Sequence, residues 1–117
     1  MARVVALLPD LLFGSKVQGM LAGAGHEVTV AGTPQEALAG LAGHDLLVVD
    51  LCEDAPARIE LLAPAAAGAK LLGFYPHTDV ETRTLALAAG FDLVVPRSRM
   101  AREGAALAAG LLAPAQA

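Results

Sequence analysis

Five short apolar runs, at residues 4–8, 28–31, 46–51, 71–75 and 93–95, recur along the chain, and each is followed by a longer segment with helical punctuation. Each run has the length of a strand and is too short for a helix. Their apolar residues are consecutive rather than alternate, which predicts strands covered on both faces. A strand–helix alternation repeated in this way predicts a mostly parallel sheet with helices on both sides, because parallel neighbours need crossover connections that return right-handed.

The helical segments carry start and stop signals. Ser15 is expected to cap a helix running to about residue 24 and closed by Gly25. Thr33-Pro34 sets a capping hydroxyl before a first-turn proline, with Glu36 where a carboxylate favours the positive helix end. Pro56 opens a third segment ending near Gly68, in which Pro64 predicts an early end or a kink. Asp79 opens a fourth that ends at Gly90, and a fifth runs over residues 99–112, stopped by Pro114.

At 117 residues the chain is expected to form a single domain over 1–117, with no residues left for an effector. The lone Cys52 excludes a disulfide framework. Eight Lys and Arg against 12 Asp and Glu give a net charge of −4, which leaves no electrostatic footprint for nucleic acid. The longest weakly apolar stretch, 104–115, falls short of the roughly 20 residues of a membrane span. No export signal is visible, since Pro9-Asp10 interrupts the first apolar run, so a cytoplasmic location is expected.

In open parallel sheets, ligands sit in the crevice beyond the carboxyl ends of the strands. Those ends carry Pro9-Asp10, Gly32-Thr33, Asp50, Tyr75-Pro76-His77 and Pro96-Arg97-Ser98. Asp50, at the mouth of the central run, is the strongest candidate for a nucleophile or a metal ligand. Other residues take blander readings. His26 and His44 are turn residues, His77 is a surface imidazole, and no spacing of His, Cys and carboxylate suits zinc. Gly23-Ala24-Gly25 follows a helix instead of the first strand, so it is no dinucleotide fingerprint.

Several segments, taken in order, are similar to the receiver domain of bacterial two-component response regulators. Residues 21–28 look like the turn from that family's first helix to its second strand, 34–38 like its second helix, and 45–51 like the strand that ends in the phosphorylated aspartate. His77-Thr78-Asp79-Val80-Glu81, followed by Leu87-Ala88-Ala89-Gly90-Phe91-Asp92, resembles its fourth helix and the turn after it. The resemblance implies an α/β, flavodoxin-like, doubly wound five-stranded parallel sheet of order 2-1-3-4-5. It places the phosphoacceptor at Asp50, and Mg²⁺ on Asp10, Asp50 and the backbone carbonyl of Cys52. It also implies no enzymatic activity, and partners that are proteins such as a histidine kinase or a downstream effector. The face built from the fourth and fifth helices would serve as an output or homodimer surface, with Leu85, Leu87, Leu107 and Leu111 as its candidates.

The match departs from the family at its signature places. Leu8-Pro9 stand roughly where two adjacent acidic residues hold Mg²⁺, leaving Asp10 one position late, so metal affinity is expected to fall. Tyr75, followed by Pro76, stands where a small hydroxyl contacts the phosphoryl group, and its phenol is expected to fill the crevice. Arg97, preceded by Pro96, replaces a lysine followed by proline. It is expected either to pair with Asp50 across the crevice or to contact a phosphoryl group there. The expectation is an atypical receiver acting through protein contacts. A phosphorylation-competent regulator, and a small ligand-binding or enzymatic domain using the Asp10/Asp50/Arg97 crevice, are the alternatives.

Overall fold

The computed structural model describes residues 2–66 and 68–113. Strands β1 (Arg3–Leu7), β2 (Glu27–Ala31), β3 (Leu46–Asp50), β4 (Lys70–Tyr75) and β5 (Leu93–Pro96) alternate with helices α1 (Leu11–Gly23), α2 (Pro34–Ala39), α3 (Ala55–Ala65), α4 (Val80–Ala88) and α5 (Arg97–Leu112). The strands form one five-stranded sheet of order β2-β1-β3-β4-β5, parallel throughout. In this register Asp50, the last residue of β3, stands beside Phe74 of β4.

Two apolar layers hold the sheet. On one side Val5, Leu47, Val49 and Leu71 pack with Ile59 and Leu62 of α3 and Ala86 of α4. On the other, Val4, Val48 and Phe74 pack with Val17 and Leu21 of α1 and Met100 of α5. β3 is buried at every position, as a central strand covered on both faces should be. β2 departs from that expectation. It is the sheet edge, and only Ala31 among its residues is buried.

Thr33 caps α2 by accepting from the Glu36 amide, and Asp79 caps α4 by accepting from the Thr82 amide, as the sequence signals predict. Gly90 follows α4 with φ +107, a left-handed conformation that glycine adopts without steric cost. Two helix boundaries differ from expectation. The cap of α1 is Asp10 rather than Ser15, because the chain turns directly out of β1. α5 begins at Arg97 instead of near residue 99, with no loop after β5. α3 ends at Ala65, one residue after Pro64, as the proline predicts.

Gly73 of β4 marks a close approach on the α3/α4 side. A Cβ there would lie 2.8 Å from Leu51 Cδ1 and 3.0 Å from Phe91 Cε2, so only glycine fits without displacing one of them.

Candidate functional site

The strands end at one edge, and the helices leaving that edge set the site. Asp50 is only 7% exposed, and one of its carboxylate oxygens accepts the Cys52 amide at 2.8 Å. The turn beyond it passes through Asp54, the one non-glycine residue with positive φ among those described, at φ 49. Aspartate tolerates this left-handed conformation better than most residues. The turn aims the first turn of α3 back at the sheet, and the Arg58 guanidinium donates to the main-chain oxygen of Asp50 at 2.7 Å.

Asp10 faces this group from the β1–α1 junction. One carboxylate oxygen accepts the Phe13 amide at 3.0 Å as the cap of α1, and the other accepts from Arg97 at 3.2 Å. Arg97 reaches it from the first position of α5, and its guanidinium lies over the Phe13 ring, 4.2 Å from the centroid. The cation–π contact and the ion pair together hold Arg97 in one orientation.

The expected ion pair between Arg97 and Asp50 is therefore not formed. Arg97 pairs with Asp10, and the guanidinium bonded at Asp50 belongs to Arg58, through the main chain. Tyr75 does not fill the crevice either. Its position in β4 turns the phenol toward the opposite layer, where it is buried with the core beneath α3 and α4.

A pocket of about 390 Å³ results, lined by Pro9, Asp10, Asp50, Cys52, Glu53, Arg58 and Arg97. A second, of about 470 Å³, lies across Arg97 and is bounded by Phe13, Lys16, Pro76, His77 and Ser98. Cys52 lines the first. Its thiol is pushed up to about 12, chiefly by burial and then by the charge and hydrogen bonding of Asp50, with Arg97 and Arg58 acting in the opposite direction. It is a neutral thiol at physiological pH.

These side chains do not form a cradle for Mg²⁺. Both oxygens of Asp10 are engaged, two guanidiniums line the same pocket, and among the described residues no group of three or more His, Cys, Asp or Glu side chains is placed to hold a metal ion. Asp10, Asp50 and Glu53 share the pocket with two guanidiniums, whose charge opposes a cation that prefers six oxygens.

Of the residues singled out in the sequence, Asp10, Asp50, Cys52 and Arg97 come together, whereas Tyr75 lies outside the pocket. Leu85 and Leu87 are exposed on α4, at 43% and 39%, while Leu107 and Leu111 of α5 are partly buried against the core. Arg58 is the site residue that sequence reasoning missed. A signal was present: it stands among Ala55, Ile59 and Leu62, on the stripe that α3 buries. A lone charge in such a stripe calls for a partner at the sheet edge.

No protein-family model matches the chain, and no curated protein matches it. Solved structures do. A response regulator from Thermotoga maritima superposes with a TM-score of 0.83 at 17% identity, covering 96% of this chain and 98% of that one. Chemotaxis protein CheY4 of Vibrio cholerae gives 0.83 at 21% identity, with 96% and 99% covered. An atypical orphan response regulator, described as having a phosphorylation-independent regulatory mechanism, gives 0.76 at 18% identity, with 94% of each chain covered. The fold is thus that of response-regulator receiver domains, flavodoxin-like and of order 2-1-3-4-5. Among the described residues no helix is long and apolar enough to cross a membrane.

Proposed function

We propose that this domain is an atypical receiver-like regulatory module, which acts by contact with protein partners and whose input is not Mg²⁺-dependent phosphorylation of Asp50. The observation that carries the reading is the engagement of Asp10. Its two oxygens serve the α1 cap and Arg97, so a metal shared with Asp50 would have to compete with the Arg97 guanidinium for this carboxylate. Phosphoryl transfer to a carboxylate needs the developing charge on the transferred group neutralised. Arg58 and Arg97 supply cations at this edge without a metal. The orphan regulator among the structural neighbours, described as having a phosphorylation-independent mechanism, supports this reading.

On this reading the domain catalyses nothing and signals through its surface. The exposed Leu85 and Leu87 on α4 provide apolar contact area for a kinase, an effector or a second copy. Incubation with Mg²⁺ and acetyl phosphate, followed by intact-mass measurement, tests the central claim. The expected result is an unmodified mass at every donor concentration. A phosphoryl adduct that disappears in Asp50→Asn would overturn the claim and leave a phosphorylation-competent regulator.

A further inference from the structure

β2 is an edge of the sheet, and its residues divide by where the main chain points. Glu27 donates its amide to the Ala2 carbonyl and Ala31 accepts from the Leu8 amide, so residues 27, 29 and 31 face β1. Val28 and Val30 therefore turn their N–H and C=O groups outward. The next outward amides on either side are already used: His26 donates to the Leu21 carbonyl and Gly32 to a Glu36 carboxylate oxygen. Among the described residues no loop or cap bond reaches the main chain of Val28 or Val30. The usual guards of an edge, a proline, a lysine or a bulge, are missing from β2, whereas β5 at the other edge is shorter and ends in Pro96.

The helix over this edge has a matching flank. α1 packs on β2, and Leu11, Ser15, Gln18 and Ala22 recur at helical spacing on the side turned away from α5, since Met20 opposite them meets Gly104. All four are exposed, Leu11 at 86%, and none is charged. Lys16, the one charge of α1, lines the pocket on the α5 side.

We propose that β2 and this flank of α1 form the interface with a second copy of the chain, the two β2 strands pairing antiparallel about a two-fold axis at Thr29 to make one continuous sheet. The proposal stands apart from the reading above and leaves the α4 face uncovered. Val28 of each copy exchanges both main-chain bonds with Val30 of the other, and Thr29 lies opposite itself. This register uses both unpaired positions, whereas a slip of two residues calls on the Gly32 or the His26 amide, which is taken. It sets valine against valine and Glu27 against Ala31, so no like charges stand directly opposite. On the face with Val28 and Val30 the two α1 helices run antiparallel, Leu11 of one copy over Ala22 of the other and Ser15 beside Gln18. Open main-chain bonds at positions symmetric about one residue, beside an uncharged helix flank, are self-complementary, as a two-fold interface requires. The contact is smaller than a standard interface, so the dissociation constant is expected on the order of 10 µM.

The test is sedimentation equilibrium of the whole chain from about 1 to 500 µM in about 0.15 M salt, which screens the repulsion between copies of net charge −4. The mass should rise from 11.8 kDa toward twice that value and no further. Val30→Lys and Leu11→Glu should each weaken association by about tenfold or more. Thr29→Cys reads the register directly. Opposite itself in a non-hydrogen-bonded pair, with roughly 4.5 Å between Cα atoms, it should form a disulfide between copies under mild oxidation. Leu85→Cys on α4 should not, and neither should the wild-type chain through Cys52. A monomer at every concentration, assembly beyond a dimer, a dimer unchanged in Val30→Lys, or cross-linking through Leu85→Cys and not Thr29→Cys would overturn the proposal. Circular dichroism checks that each variant is folded, and the Thr29→Cys cross-link decides alone if Val30→Lys is not.

Discussion

Asp10 holds two jobs that substitution can separate, and their sizes follow from the geometry. As the cap of α1 it accepts the Phe13 amide, and as an ion-pair partner it accepts from Arg97. Asp10→Asn keeps an oxygen for the cap and removes the charge. The ion pair joins side chains 49% and 46% exposed, so solvent and salt screen it, and its loss is expected to cost about 0.5 kcal/mol or less. Asp10→Ala removes the cap as well, which adds about 1 kcal/mol. For a chain of this length about 1 kcal/mol corresponds to roughly 4 °C in Tm. The expected order is therefore wild type, then Asn lower by about 2 °C, then Ala lower by about 6 °C. Thermal melts by circular dichroism at low and high salt measure this. The gap between wild type and Asn should close in high salt, whereas the gap between Asn and Ala should persist. Equal losses in the two variants would refute the reasoning, since the ion pair would then outweigh the cap.

Other expectations follow from packing and charge. Gly73→Ala places a methyl within 2.8 Å of Leu51 Cδ1, and should destabilise by about 1–3 kcal/mol in urea unfolding. Arg58→Met removes a buried charge that has no ion-pair partner among the described residues, so it should melt at or above wild type. The Cys52 thiol rises from 9.0 to about 12 on folding, so the folded state binds its proton more tightly than the unfolded state. This contribution to stability is complete below pH 9.0 and is lost as pH rises from there toward about 12. Alkaline unfolding of Cys52→Ser, compared with wild type, should lack that decline. Thiol labelling near pH 8 should be slow until denaturant is added.

The strand runs and the caps at Thr33 and Asp79 were legible because their causes are local: a continuous apolar run, a hydroxyl or carboxylate just ahead of a helix, a glycine after it. Sheet order came from resemblance and not from periodicity. Asp10 was recognised as a residue of the crevice, but not as a cap, because Ser15 offers the same local signal four residues inside the helix. The absence of any loop between β5 and α5 was also invisible, since the residue ahead of the helix, Pro96, makes no capping side-chain bond. Arg97 pairs with Asp10 and lies over the Phe13 ring, contacts between residues far apart in sequence. Arg58 reaches Asp50 only through the left-handed turn at Asp54. No spacing rule anticipates that.

The glycine at position 73 also joins two parts of the fold that are distant in sequence. Leu51 directly follows Asp50, and Phe91 sits between the end of α4 and β5. Because β4 carries no side chain on this face at Gly73, both rest against the same bare stretch of strand. The space a side chain at position 73 would occupy is thus filled from two sides, by the residue that follows Asp50 and by the ring at the foot of α4, the helix that presents Leu85 and Leu87 to solvent.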